Sequence, residues 1–314
     1  MQSAFVQVSL IAAIILLYTF QSMFSKMFND NYPGSEETAP LVFSVVCGVI
    51  VAVVSLFFSG FEFGPFRWET LVMGIINAII LYAYDQFIIK ASGKGPYSIM
   101  MVFNLGGGIV VPAVVAVLPI GPFGDAFSWT KLVAIVIICI AIYMVSLKKG
   151  SAEGEGKGKL HTFFILSIFL ALANGLYGVM FDLQNRTTGA ADKQLLVIYT
   201  FIGAAIISAI QLAVTEKKRM PKAFVQNKKS LVYLLLASVV SAIAVNILVI
   251  LVGVVDETLL YTFDNAGVML LSAIASAVIF KDKLSRVNII GCIVMTLALI
   301  MMGASGIIDG WLFA

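Results

Sequence analysis

Apolar residues run along this chain in long blocks separated by short polar breaks. The first block, in MQSAFVQVSLIAAIILLYTFQSMF, exceeds the roughly 20 residues that cross a hydrocarbon core about 30 Å thick at about 1.5 Å rise per residue. It lacks a basic leading region and is too long for a signal-peptide core, so it reads as a first spanning helix. Ten blocks meet the length test, near 3–26, 39–59, 69–90, 97–119, 129–147, 161–181, 194–214, 231–252, 258–280 and 286–306. The pattern predicts an all-α integral membrane protein of ten transmembrane helices, with short connections that make consecutive helices antiparallel.

The most polar break, KKGSAEGEGKGK from Lys148 to Lys159, falls near the middle of the chain. It divides a first five-helix repeat at 1–147 from a second at 161–314, with a polar linker at 148–160, the whole forming one transmembrane transport domain. Five is odd, so a duplicated half enters the bilayer upside down, the inverted-repeat arrangement of secondary transporters. An offset of 155 residues places Gly48 on Gly203 and Thr19 on Asn174. An offset of 160 places Gln86 on Asn246, Gly93 on Gly253, Phe103 on Phe263, Asn104 on Asp264 and Gly107 on Gly267.

Composition removes the soluble alternatives. The 314 residues are 61% hydrophobic and 12% charged, with a mean hydropathy of +1.03, against about 45–50% apolar and about 25% charged in soluble domains. Cys47, Cys139 and Cys292 each lie in an apolar run and His161 is the only histidine, which argues against disulfides, metal sites and zinc chemistry. The net charge of +3 is scattered over short loops with no nucleic-acid-binding motif.

With ten spans, the loops after helices 1, 3, 5, 7 and 9 hold 16 of the 20 Lys and Arg residues, leaving Arg67, Lys131, Arg186 and Lys193 on the other face. The positive-inside rule makes the basic face cytoplasmic and both termini external, in a cell (inner) membrane. Trp68, Trp129 and Trp311 fall at helix ends on the basic-poor face, where indole rings anchor at an interface.

Only Asp85 and Asp264 among the 17 acidic residues fall well inside apolar segments. A carboxylate at membrane depth costs roughly 2.5–3.5 kcal/mol on insertion scales and normally faces a bundle interior or an aqueous cavity. Tyr261, Asp264, Asn265 and Val268 follow the spacing of one helical face. In the fourth block, its mate under the offset of 160, Asn104 precedes Gly106, Gly107 and Gly108, with Pro112 one turn on. Three glycines and a proline either weaken the helix at a substrate or hinge site or, with Gly267, let helices pack closely. The third block carries Asn77, Tyr82, Tyr84, Asp85 and Gln86, of which Tyr82, Asp85 and Gln86 could share a face. Aromatic rings beside a carboxylate suit an amine ligand. Gln21, Asn174, Tyr177 and Asn246 complete the buried polar candidates, each open to the plainer reading of interhelical hydrogen bonding.

No G-x-S-x-G, phosphate loop or foldable extramembrane loop is present, so neither an enzyme nor an ATP-driven pump is expected, and no cofactor is required. Phe280, Lys281, Asp282, Lys283, Leu284 and Ser285, followed by Gly291 in the tenth block, are similar to the acidic–basic pair after the penultimate helix of a repeat and the glycine in its last helix in the drug/metabolite transporter superfamily, EamA-type branch. Pro112 matches that family's mid-helix proline, while Leu118, Pro119, Ile120 and Gly121 depart from it where the first repeat's pair would stand. The resemblance covers the whole chain. It implies a central cavity between the first four helices of each repeat, peripheral fifth and tenth helices, alternating access, and export. Family members commonly keep both termini cytoplasmic, opposite to the placement from the charge count.

The expected function is a secondary active transporter exporting a small polar metabolite such as an amino acid or amine, with protons or another ion as coupling partner, acting as a monomer or homodimer. The absence of basic residues deep in the membrane disfavours phosphorylated substrates. Efflux of lipophilic cations and a channel-like permease are the alternatives.

Overall fold

The computed structural model describes residues 4–62, 66–125, 127–146, 157–188, 192–215, 227–252, 254–255, 257–282 and 285–312. Among them are eleven helices: α1 (Ala4–Asn31), α2 (Ala39–Phe58), α3 (Trp68–Ser92), α4 (Tyr97–Ala116), α5 (Trp129–Ser146), α6 (Lys157–Thr188), α7 (Lys193–Thr215), α8 (Lys228–Leu251), α9 (Glu257–Val278), α10 (Arg286–Gly303) and α11 (Ser305–Leu312). An isolated bridge between Val252 and Val255 is the sole extended pairing among these residues. Eight helices are long and apolar enough to cross a bilayer. The apolar stretch of α5, Trp129–Met144, is shorter, and α9 is not among the eight, its first half carrying Thr262, Asp264 and Asn265.

The helix ends follow local chemistry. Pro40 stands in the first turn of α2, where its missing N–H has no helical partner to lose. Ser285 and Asn288 form a reciprocal capping box on α10, and the Asn227 side chain accepts from Lys229 N at 3.1 Å to cap α8.

Three boundaries differ from the sequence reading by four residues or more. The final turns of α1 and α6 extend past the apolar blocks, because polar groups there bond to neighbours: Asn227 Nδ2 donates to Asn31 O at 2.8 Å, and Gln184 Nε2 to Thr70 Oγ1 at 3.1 Å. Residues 157–160, read as the end of the polar linker, are the first turn of α6, since a helix can project its polar first turn beyond the apolar boundary. Residues 148–156 of that linker lie outside the described residues, as do Lys217, Lys218, Arg219, Lys283 and Leu284.

Polar contacts sort the helix ends into two groups, as an antiparallel bundle requires. At one end Arg67 Nε lies 3.2 Å from Asp192 Oδ2, and Lys193 Nζ donates to Val252 O at 3.2 Å. Arg186 donates two hydrogen bonds of 2.7 Å to the two carboxylate oxygens of Asp125. These join the start of α3 and α7 to the far ends of α4, α6 and α8. At the other end Lys26 Nζ donates to Ser92 O at 2.8 Å and Lys94 pairs with Glu36 at 2.7 Å. There Asp282 Oδ2 accepts from Tyr97 N at 2.9 Å and from Ser276 Oγ at 2.5 Å. The acidic residue of the motif after α9 thus caps α4, an element of the other half.

The hydrogen bonds from Arg186 hold the Asp125 carboxyl below the usual carboxylate range. Its contribution to stability is therefore full above an unfolded-state value of about 3.9 and disappears as pH falls through the lower folded-state value. The pair is partly exposed, so its effect is modest. Arg186→Gln is expected to lower the thermal midpoint at pH 7 by roughly 1–3 °C, and the gap to wild type should close as the buffer is acidified below about pH 4. A gap independent of pH would show that Arg186 acts through packing alone.

The two halves do not form separate bodies. The broadest packing runs between them, α1 on α8, α2 on α7, α4 on α6 and α5 on α10. Neighbours also recur on moving five helices along the chain. α1 packs on α8 and α9 as α6 packs on α3 and α4; α2 packs on α8 as α7 on α3; α9 packs on α10 as α4 on α5; and α4 meets α9.

Glycine sets the closest of these approaches. A methyl group on Gly107 of α4 would fall 2.1 Å from Ala171 O of α6, and one on Gly175 of α6 would fall 2.5 Å from Gly107 O. In the corresponding pair α9/α1, a methyl on Gly267 would meet the Ile15 side chain at 2.7 Å. These three glycines act in close packing, and α4 runs as a continuous helix through Gly106, Gly107, Gly108 and Pro112.

Candidate functional site

A cavity of about 150 Å³ lies within the bundle, lined by residues of α1–α4 and α6–α9 and by none of α5 or α10. Each half contributes four helices. The cavity reaches the level of Tyr261, one turn into α9, and of Leu248, one turn from the end of α8. Toward the other end the lining extends to Phe43 and Met101, each one turn into its helix. Beyond them the fully buried Tyr97 shares hydrogen bonds with Ser22 and, at 3.3 Å, with Ser272, and its ring packs on Phe280.

Both intramembrane carboxylates line this space. Asp85 is 6% exposed and Asp264 7%. α3 and α9 both run from the basic-poor end of the bundle, and Asp85 lies seven residues before the end of α3 while Asp264 lies seven after the start of α9. The carboxyl groups therefore face the cavity at different depths rather than converging on one ion. Among the described residues no cluster of His, Cys, Asp or Glu has the makings of a metal site.

The face read from the sequence of the ninth block is the one the bundle uses: Tyr261, Asp264, Asn265 and Val268 all line the cavity. Asn104 and Gly108 of α4, Gln21 of α1, and Asn174 and Tyr177 of α6 join them. Asn104 Nδ2 donates to Tyr84 OH at 3.2 Å, Asn174 Nδ2 to Asn104 O at 2.8 Å, and Asn265 Nδ2 to Tyr261 O at 2.6 Å. Asn104 Oδ1 and Asp264 Oδ1 are buried without a hydrogen-bond partner among the described residues. Lone acceptors of this kind are costly in a buried site and call for a donor.

Other candidates lie elsewhere. The Tyr82 hydroxyl donates to Gln211 on the outer side of α3, and Gln86 is buried away from the cavity. The lining face of α3 is Leu81, Tyr84 and Asp85, one residue earlier than the Tyr82, Asp85 and Gln86 grouping. One residue is about 100° of helix rotation, and a helix apolar on nearly all sides carries no stripe that fixes its rotation. Asn246 donates to Ser55 Oγ at 2.9 Å and to Ala242 O at 2.8 Å, joining α8 to α2. Gly106, Gly107, Pro112 and Gly267 pack helices without lining the space.

Sequence reasoning passed over Tyr18, Ser22, Cys47 and Ser241, and named Tyr84 and Tyr261 without placing them at the site. One available signal was the offset of 159 residues between Tyr18 and Tyr177, close to that pairing Asn104 with Asp264. Four tyrosines, Tyr18, Tyr84, Tyr177 and Tyr261, thus share the cavity with two carboxylates, and among the described residues no Lys, Arg or His lines it.

No protein-family model matches the chain, and no curated protein matches it. A solved crystal structure of a protein, 13% identical, aligns over 95% of this chain and 96% of that chain with a TM-score of 0.63. That likeness concerns the fold alone. With eight helices among the described residues long and apolar enough to cross a bilayer, the chain is a multi-pass helical membrane protein.

Proposed function

We propose that the chain is a secondary active transporter of the drug/metabolite type, built of ten transmembrane helices in two inverted repeats, that exports a small polar metabolite of the amine or amino acid class by alternating access. The observation that carries this reading is the cavity itself: four helices of each half enclose both intramembrane carboxylates, with no basic side chain in the lining among the described residues. Recurrence of the helix neighbours at a spacing of five supports the repeat. Helices drawn equally from two interlocked halves suit rocking of one half against the other about a fixed site. Tyr97, Ser22, Ser272 and Phe280 close the basic end, and their separation is the step that alternates access.

A carboxylate here has no fixed cation beside it. It is compensated either by a proton or by a cationic ligand, and exchange of one for the other is the proposed coupling. The volume of about 150 Å³ supports a metabolite over a drug-sized lipophilic cation, which takes a pocket of roughly 300–1,000 Å³. Uptake of labelled amines and amino acids into reconstituted vesicles, with and without an imposed pH gradient, tests the reading. Accumulation of one class that collapses when the gradient is dissipated is expected; no flux of either class rejects it.

The distribution of Lys and Arg supports a cytoplasmic basic face in a cell (inner) membrane. A single cysteine introduced near Trp311 in a cysteine-free background is expected to react with an impermeant reagent added outside intact cells. Labelling only after the cells are opened would invert the orientation.

A further inference from the structure

Resting on the transport reading above, we propose that the cavity takes a short dication, an aliphatic diamine whose two ammonium groups meet Asp85 and Asp264. Two acidic side chains of one cavity sit toward opposite ends of parallel helices, so a single ammonium cannot serve both. Each is at least nine-tenths buried, and the lining offers no positive side chain to compensate either. The unpartnered Asp264 Oδ1 and Asn104 Oδ1 are both acceptors, so the missing ligand atoms there are donors. Four tyrosine rings add faces that attract cations. Leu81, Phe201 and Val268 provide apolar contact for methylene groups between the charges.

Size and charge exclude the neighbouring classes. A cavity of about 150 Å³ suits a short chain better than a drug-sized cation, which takes roughly 300–1,000 Å³. A monoamine leaves one buried carboxylate to be neutralised by a proton. An amino acid adds a third carboxylate to a site that already holds two, and like charges in a poorly screened interior repel strongly. The dication is the ligand that satisfies both ends together, and it leaves the cavity when both carboxyl groups take up protons.

The test is titration calorimetry on the purified full-length protein with a four-carbon diamine, the four-carbon monoamine and the four-carbon ω-amino acid, followed by diamines of increasing length. The diamine is expected to bind at least tenfold tighter than either partner, with affinity peaking at one chain length because α3 and α9 hold the carboxyl groups at a fixed spacing. Asp85→Asn and Asp264→Asn should each reduce diamine affinity to the monoamine's level. Equal affinity for diamine and monoamine, or affinity that climbs steadily with chain length, overturns the dication and leaves amine transport standing. Binding of the ω-amino acid in preference to the diamine overturns it in favour of a zwitterion. Failure of every amine and amino acid to bind removes the transport reading as well. The wild-type length series decides the matter even if a variant fails to fold.

Discussion

Asp264→Asn is expected to weaken binding of the proposed cationic substrate by about 10- to 150-fold, the equivalent of a charge-assisted hydrogen bond of about 1.5–3 kcal/mol, while leaving the ligand-free protein at least as stable as wild type. Asparagine matches aspartate in shape, so packing against Tyr261 and Val268 is retained and only the charge and one acceptor change. Asp264 Oδ1 has no hydrogen-bond partner among the described residues, so little structure depends on it. A buried carboxyl without a fixed cation is a cost to the empty protein, and removing it relieves that cost. The two signs together make the test sharp. Thermal midpoints of both proteins, measured with and without saturating ligand, separate the roles. A site residue loses the ligand-induced shift and keeps the ligand-free midpoint; a structural residue lowers the midpoint and keeps the shift. The latter outcome would sink the assignment of Asp264 to the binding site. Loss of pH-gradient-driven flux in the same variant checks its part in coupling.

Gly107→Ala is expected to be the most damaging of the small substitutions, lowering the thermal midpoint by roughly 5 °C or more, the scale of core overpacking at about 1–3 kcal/mol. Its methyl would stand 2.1 Å from Ala171 O and 2.4 Å from Ala171 C and Cα. All three are backbone atoms of α6 and cannot rotate aside. α4 and α6 must part, which also displaces Asn174 from Asn104 O and opens the cavity wall. Gly106→Ala is the control on the same helix. Its methyl would meet Met295 Cε at 2.5 Å, the free end of a flexible side chain, so a change within about 1 kcal/mol is expected. Similar midpoints for the two variants would show that the α4/α6 crossing is looser than its geometry implies.

These cases show what patterning can and cannot convey in an apolar chain. Asp264 was legible because a charge in an apolar block is expensive and must face the interior, and its helical neighbours at three and four residues follow it there. Asp85 was legible for the same reason, whereas its companions were misplaced by one residue. α3 meets α6 and α7 over much of its length, so nearly every side is apolar and the rotation is set by neighbours. Tyr18 had no such marker, because a tyrosine in a spanning helix is equally at home against lipid, another helix or a cavity. Asn246 carried the same sequence signal as Asn104, yet it bonds to Ser55 while Asn104 faces the site. Polar side chains within a bundle seek the nearest partner, and which partner is near depends on packing.

The sequence alone determined that the chain resides in a membrane, where its apolar blocks fall, and which two carboxyl groups lie at depth, because transfer of backbone and charge into hydrocarbon is governed by local composition and length. It did not determine that α1 packs on α8 and α4 on α6, nor that eight helices surround one cavity while α5 and α10 stay outside it. Between helices that are uniformly apolar, the hydrophobic effect distinguishes no partner from the surrounding lipid. Partner choice falls instead to short-range fit, such as the Gly107–Gly175 crossing and the Asp282 cap on α4, and that fit exists only once the tertiary structure has formed.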